Sequence, residues 1–162
     1  GIYSFNNGDR YEGGYRKSQR EGDGVFVYAN GNKYVGQFRG GLKHGSGVFT
    51  GVDGTSYTGQ WRNDKKEGRG RYVWSNGDVY DGEWRDGVMD GEGIFRGADG
   101  SKFRGLFKGG ERHGKCVMET ADGVRFEGSY KNGVRDGDFV EKDKNGNIIR
   151  RGRYANGRIE EN

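Results

Sequence analysis

The sequence contains no proline, a single cysteine and no apolar run long enough to cross a membrane. One cysteine, Cys116, excludes an internal disulfide framework, and no Asn-x-Ser/Thr glycosylation site or signal peptide is present. Together these absences predict a cytoplasmic location. Hydrophobic residues make up only 30% of the 162 residues, which is too little apolar material for an ordinary globular core.

Glycine and aromatic residues are abundant instead, and they recur with a fixed period of 23 residues. The chain has 35 glycines and 14% aromatic residues. We number each repeat unit from its leading aromatic residue as position 1. Position 1 is occupied by Tyr11, Tyr34, Tyr57, Tyr80, Phe103 and Phe126, and position 3 is glycine in all six units. Such a period predicts an array of one supersecondary unit, because unstructured low-complexity chains do not keep aromatic residues in phase.

Each unit contains two strand signals. Positions 1, 3 and 5 carry an aromatic residue, a glycine and an aromatic residue, which lie on one face of an extended strand. The glycine leaves a gap into which a neighbouring ring can fit. A second strand begins with glycine at position 12 and has an aromatic residue at position 16 in most units. Asn-Gly or Asp-Gly at positions 20 and 21 predicts a two-residue reversal.

These signals predict an all-β fold, in which about 14 short strands form a single elongated, twisted antiparallel sheet with open ends. We expect one array over residues 1–162, in which a partial unit spans 1–10 and an atypical unit spans 150–162. The complete units start near residues 11, 34, 57, 80, 103 and 126. Because the chain enters in the middle of a unit, we expect it to be a fragment of a longer array.

The pattern resembles the MORN (membrane occupation and recognition nexus) repeat. It is carried most closely by Tyr34-Val35-Gly36 leading to His44-Gly45-Ser46-Gly47, and by Tyr80-Asp81-Gly82-Glu83-Trp84 leading to Gly91-Glu92-Gly93. Similar repeats occur in junctophilins, plant phosphatidylinositol phosphate kinases, a histone lysine methyltransferase, radial-spoke proteins and cytoskeletal proteins of protists. The resemblance implies a scaffold that binds partner helices or dimerises, and it brings no catalytic domain.

We expect no metal ion, no cofactor and no enzymatic activity. His44 and His113 both occupy position 11, three units apart, so they cannot share a metal ion within one chain. Cys116 follows His113 by three residues, but it occupies a glycine position on the aromatic face and is better explained as a small buried filler. No Gly-Lys-Ser/Thr element follows the Gly-x-Gly pairs, which excludes a phosphate loop.

The rows of aromatic residues have two interpretations, a thin stacked core or a groove that receives a protein partner such as an amphipathic helix. The predicted partner-binding residues are Tyr15, Phe38, Trp61, Trp84, Phe107, Tyr34, Tyr57 and Tyr80.

Basic residues are periodic as well, and they predict a basic ladder along one edge. The net charge is +4, and acidic residues interleave with the basic ones. The ladder is either a solvated edge that resists lateral pairing, or a surface for an acidic partner or for acidic phospholipids, phosphoinositides in particular. It consists of Arg16, Arg39, Arg62, Arg85, Lys108 and Lys131 at position 6 with Lys43, Lys66 and Arg112 at position 10. We expect no nucleic acid partner, because the rings and cations do not clearly interleave on one surface.

The leading functional hypothesis is a non-catalytic scaffold that binds proteins and self-associates, with a cytoskeletal association. The alternatives are peripheral binding of acidic phospholipids at a membrane and a regulatory region of a larger enzyme. A homodimer is expected to form through the atypical C-terminal repeats, because open strand edges favour pairing with a copy of the same chain. The self-association residues are Phe139, Ile148, Ile149 and Tyr154.

Overall fold

A computed structural model describes residues 1–160 and contains only strands and turns over this range. Its 16 strands form one antiparallel sheet in chain order, with β13 paired to β12 beside that path. The strands are β1 Ile2–Ser4, β2 Arg10–Arg16, β3 Gln19–Val27, β4 Lys33–Arg39, β5 Leu42–Thr50, β6 Ser56–Arg62, β7 Lys65–Val73, β8 Val79–Arg85, β9 Val88–Arg96, β10 Lys102–Lys108, β11 Glu111–Glu119, β12 Arg125–Lys131, β13 Val134–Arg135, β14 Gly137–Lys142, β15 Ile148–Ala155 and β16 Arg158–Ile159. The predicted antiparallel sheet of hairpin repeats is confirmed, with two more strands than expected because β13 and β16 are two-residue pairings. The last two residues of the expected unit 150–162 lie outside the described residues.

The chain divides into two compact units. Unit 1 comprises Gly1–Asn76 with Trp84–Gly87, and unit 2 comprises Gly77–Glu83 with the chain from Val88 onward. Within each unit the register repeats, because glycine at position 3 pairs with the residue at position 14 and the position 1 ring pairs with position 16. The equivalent side chains of successive hairpins therefore share one face of the sheet.

The structure reverses the expected turn types. Positions 7 and 8 form the two-residue turns, and both residues have positive φ angles, as in Asn63 (48°) and Asp64 (69°). At the Asn-Gly and Asp-Gly pairs only the glycine is left-handed, with φ 92° at Gly31, whose N–H donates to the Tyr28 carbonyl. This is a three-residue loop, so the predicted two-residue reversal there is wrong.

Tyrosine rings at position 1 lie directly over backbone that has no side chains. The Tyr57 ring covers Gly70 of the paired strand, and its hydroxyl donates to the Gln60 carbonyl at 2.8 Å. Trp61 and Trp84 contact the same ring edge-to-face at centroid distances of 5.0 and 5.4 Å. Because Tyr57 is completely buried, this interlocked set of rings forms the core of unit 1 without a second layer.

Unit 2 keeps this arrangement but departs from it where phenylalanine replaces tyrosine. Phe103 has no hydroxyl, and Cys116 occupies position 14, where the tyrosine units have glycine. Phe126 likewise faces Phe139 at position 14, with the rings stacked at 5.5 Å. Where position 1 lacks a hydroxyl, position 14 thus carries a residue larger than glycine, and that residue fills the space that the hydroxyl would need.

One extra residue on β15 forms a β-bulge near the C-terminus. Glu141 pairs with Arg150 and Lys142 pairs with Ile148, so Ile149 has no partner on β14. Two consecutive isoleucines are therefore exposed, at 46% for Ile148 and 56% for Ile149.

Candidate functional site

The sheet has two chemically different faces, which we call the aromatic face and the polar face. Positions 1, 3, 5, 14 and 16 lie on the aromatic face, and positions 2, 4, 6, 9, 13 and 15 lie on the polar face, as strand alternation requires. No second layer of secondary structure covers either face within the described residues.

The predicted partner-binding rings are almost all buried. Trp61 and Trp84 are 7% and 6% exposed, and their indole N–H groups donate to the carbonyls of Gly47 (3.2 Å) and Gly70 (3.0 Å). Tyr34, Tyr57, Tyr80, Phe38 and Phe107 are buried as well, and only Tyr15 is half-buried. These rings form the core of their units, so a partner would reach the aromatic face through other residues.

Basic residues at position 10 cover the buried rings. The Nζ atom of Lys66 lies 5.2 to 5.5 Å from the ring centroids of Tyr57, Tyr72 and Trp84. Lys43 lies over four rings at 5.2 to 5.9 Å. Burial lowers the pKa of the Lys66 ammonium group, and the neighbouring Lys43 cation lowers it further. Aliphatic stems and cation–π contacts thus complete the core where a second layer of structure would otherwise lie.

A second set of rings remains half-exposed on the aromatic face of unit 1. These rings occupy positions 16 and 18, above the buried rows. Tyr28 contacts Phe49 at a centroid distance of 6.1 Å, and Tyr72 contacts Trp74 at 4.7 Å. Tyr28 and Trp74 escaped the sequence prediction because position 18 is aromatic in only these two complete units, although its alternation with position 16 places it on this face. We call Tyr28, Phe49, Tyr72 and Trp74 the exposed aromatic patch.

The basic ladder divides into two groups in the structure. Lys43, Lys66 and Arg112 lie over rings of the aromatic face. The position 6 residues are exposed and form none of the ion pairs found within residues 1–160. Unit 1 carries Arg16, Arg39, Arg62 and Arg85, and unit 2 carries Lys108 and Lys131. Only the position 6 group is free to meet an anionic surface.

The predicted self-association residues divide in the same way. Phe139 and Tyr154 are 3% and 8% exposed, and their rings contact each other at 4.7 Å. Ile148 and Ile149 are exposed on β15. Of the four residues, only the two isoleucines are accessible to a second copy of the chain.

The two histidines occupy position 11, where a row of hydrogen bonds runs along the turn edge. A side chain at position 11 accepts the backbone N–H of position 7 in the next unit, as Glu67 does from Asp86 at 3.1 Å. His113 Nδ1 accepts the N–H of Asn132 at 3.4 Å. In His44 the Nδ1 atom is buried and has no hydrogen-bond partner. This row gives His113 a structural role, whereas His44 occupies the same position without making the bond.

The cysteine has the properties of a buried filler. Cys116 is 6% exposed, and burial raises the pKa of its thiol to about 11. The thiol is therefore protonated at neutral pH and is a poor nucleophile. Within residues 1–160, no cluster of three or more histidine, cysteine or acidic side chains could hold a metal ion. The same residues include no helix long and apolar enough to cross a membrane.

Comparisons with known proteins agree with this architecture. The family model described as MORN repeat matches residues 11–33, 34–56, 57–79, 80–102, 103–125 and 126–137. No curated protein matches the chain significantly.

Two solved structures from Drosophila melanogaster are similar in fold. One is the SAS-4 (dCPAP) TCP domain in complex with a proline-rich motif of Ana2 (dSTIL). It is 14% identical, with a TM-score of 0.57 over 95% of this chain and 82% of that chain. The other is the TCP10c domain of Sas-4, which is 15% identical, with a TM-score of 0.54 over 91% of this chain and 88% of that chain. At this identity the likeness concerns the fold.

Proposed function

The chain belongs to the MORN repeat family, and on that premise we propose that it is a non-catalytic scaffold that binds a protein partner on the aromatic face of unit 1. The observation that carries this proposal is the exposed aromatic patch. The rings at positions 1 and 5 are almost all buried in the core, whereas part of the surface of the patch rings stays accessible. The patch rings are Tyr28, Phe49, Tyr72 and Trp74. Aromatic residues supply large contact areas at a small entropic cost, and they dominate the energetics of protein interfaces.

The chemistry of the patch favours an extended or helical segment of a partner protein. The rings alternate with the Lys43 and Lys66 stems, so the patch combines apolar surface with positive charge. Aromatic-lined surfaces receive proline-rich segments, and apolar grooves receive amphipathic helices. The Sas-4 TCP domain, which shares the fold, was solved with a proline-rich motif bound. This supports a protein segment as the occupant here.

The test replaces rings that are partly exposed rather than fully buried rings of the core. Tyr28→Ala/Trp74→Ala removes patch surface, and Leu106→Ala serves as the control because Leu106 is an exposed apolar residue (41%) on the polar face of unit 2. Proteins captured by the native chain are identified, purified and titrated against each variant. We expect at least about a tenfold weaker affinity for the double variant, since two anchors worth about 1 kcal/mol or more are lost. Equal affinity in a natively folded double variant would refute the proposal.

Self-association is proposed as part of the same scaffold role. The support is the pair of exposed isoleucines, Ile148 and Ile149, at the start of β15, where the two-residue strand β16 pairs only with Tyr154 and Ala155. Exposed apolar residues near a strand edge favour pairing with another copy. Light scattering of the native chain at tens of micromolar should give a dimer mass that Ile149→Lys reduces. A monomer under these conditions contradicts the proposal.

Acidic phospholipid remains the second proposed ligand, because the position 6 cations are exposed and unpaired by acidic groups. We confine the lipid-binding proposal to the position 6 residues, since the position 10 cations lie over aromatic rings. Vesicles containing phosphatidylserine should bind the native chain at low salt and release it as salt rises. Arg16→Glu/Arg39→Glu should abolish this binding, and binding that salt does not change would count against it. A cytoplasmic location with cytoskeletal association also stays a prediction.

A further inference from the structure

The polar face of unit 1 carries a basic patch that does not follow the 23-residue period. Position 15 is valine or isoleucine in the five other complete units but arginine at Arg71, and position 13 is Arg69 where neighbouring units have serine or an acid. The same hairpin adds Lys65 to Arg62, and the two residues pair across β6 and β7. We call Arg62, Lys65, Arg69 and Arg71 the β7 patch.

The fold does not require these charges. Every other unit forms the same hairpin without two arginines at positions 13 and 15, so neither the backbone pairing nor the aromatic core depends on them. All four side chains are exposed, and none takes part in an ion pair or a side-chain hydrogen bond recorded for the described residues. Glu67 and Asp86 line a groove with Arg62, Lys65 and Arg85, and no ion pair joins these acids to these cations within residues 1–160.

We propose that the β7 patch binds an extended acidic peptide segment of a partner protein, with acidic residues at every second position. Arg69 and Arg71 are two residues apart on one strand, so their side chains leave the sheet about 6.8 Å apart. Alternate side chains of an extended peptide have the same spacing. A segment lying parallel to β7 therefore places successive carboxylates opposite successive guanidinium groups, where each can accept two hydrogen bonds.

Two other polyanions fit the surface less well. A lipid bilayer would contact the whole polar face, including the exposed acids Glu12 and Asp23 on β2 and β3, whereas a peptide along β7 avoids them. Single-stranded nucleic acid binds by stacking bases on aromatic rings. The polar-face positions of β4–β7 carry no aromatic residue. This surface lies opposite the exposed aromatic patch, so the inference does not depend on that site.

The test titrates a fluorescent peptide of alternating glutamate and threonine by anisotropy. Arg69→Ser/Arg71→Val installs the residues that the neighbouring unit carries as Ser46 and Val48, which keeps the hairpin compatible with the fold. We expect at least about a fivefold loss of affinity, and a further several-fold loss for the native chain on raising salt. The matched control, Arg104→Thr/Lys115→Ser, removes two exposed cations from the polar face of unit 2 and should stay within about twofold of the native chain.

A second peptide of the same composition, with its glutamates in one block, tests the register. The alternating peptide should bind more tightly, and equal affinity would overturn the proposed alignment along β7. Unchanged affinity in Arg69→Ser/Arg71→Val would overturn the site itself. Binding to phosphatidylserine vesicles that the double substitution abolishes, without any peptide binding, would assign the patch to lipid instead. Tyr28→Ala/Trp74→Ala should leave peptide binding intact, which separates this proposal from the aromatic one.

Discussion

The contact between the position 1 tyrosine and the position 14 glycine predicts a strong energetic coupling. A Cβ atom at residue 70 would lie 2.5 Å from Cε2 of Tyr57, with the ring Cζ and the hydroxyl oxygen closer still. Neither partner can move easily, because the hydroxyl is held by the Gln60 carbonyl at 2.8 Å and the ring is enclosed by Trp61 and Trp84. Gly70→Ala should therefore destabilise the chain by about 3 kcal/mol, at the upper end of the usual cost of overpacking.

Tyr57→Phe alone should cost about 1 kcal/mol, since it removes the part-buried hydrogen bond from the tyrosine hydroxyl to the Gln60 carbonyl. Once the hydroxyl is gone, however, the ring is free to tilt away from residue 70. We expect Tyr57→Phe/Gly70→Ala to cost no more than Gly70→Ala alone, which is a coupling of at least about 1 kcal/mol. Urea unfolding followed by tryptophan fluorescence measures all four corners of this double-mutant cycle.

The Phe103 unit provides the reverse experiment. A Cβ at Gly105 would meet Cys116 Cβ at 2.9 Å and Phe103 Cζ at 3.1 Å, so the atom that would carry a hydroxyl already faces a filled position. Phe103→Tyr should destabilise the chain, and Cys116→Gly should rescue it in the double variant. If the free-energy costs of the two single substitutions add up to that of the double variant within about 0.5 kcal/mol in both cycles, the tyrosine hydroxyl does not clash with the residue at position 14 and the reasoning fails.

Three further predictions follow from the buried polar groups. Burial raises the pKa of Tyr57 from 10.0 to about 12, so the stability that the neutral phenol supports is complete below pH 10 and is lost as the pH rises towards 12. Urea midpoints that stay constant over this range would contradict this pH dependence. Lys66→Met should change the unfolding free energy by less than about 1 kcal/mol, because Met89 occupies the same position in the next unit. The substitution removes cation–π contacts, but it also removes the free-energy cost of burying the ammonium group, and the two effects offset each other. A loss above about 2 kcal/mol in chemical denaturation would show that the charge is essential. His44→Glu should stabilise the chain by about 0.5–1.5 kcal/mol by accepting the Asn63 N–H, and an unchanged urea midpoint would reject this bond.

The period predicted the fold because it fixes which residues share a face. Alternation of ring, glycine and ring is sufficient to define an antiparallel strand with one aromatic face, and the pairing of Gly59 with Gly70 follows from it. The turns were misassigned because Asn-Gly suits two turn types. The deciding variable is the φ angle of the first residue, which a dipeptide does not specify. The two-residue turn accepts even Lys17 and Ser18, both with positive φ, because the flanking register imposes it.

The functional surface was harder to predict than the fold. The sequence shows that rings such as Trp61 and Trp84 lie on one face, but not that edge-to-face contacts and a covering lysine can bury them without a second layer. Long basic side chains carry enough aliphatic surface to complete a core while keeping their charge near water. Lys66 looked like part of an exposed ladder for this reason, although its stem belongs to the core.

In a repeat protein the residues that recur are explained by the fold, so sites for partners should be sought among the departures from the period. Not every departure qualifies. Cys116 departs together with Phe103, and the two changes compensate each other within the core. Arg71 and Trp74 lie on opposite faces and replace residues with which other units fold equally well. Unit 1 therefore presents two chemically distinct surfaces on a shared framework, which is what a scaffold for more than one partner requires.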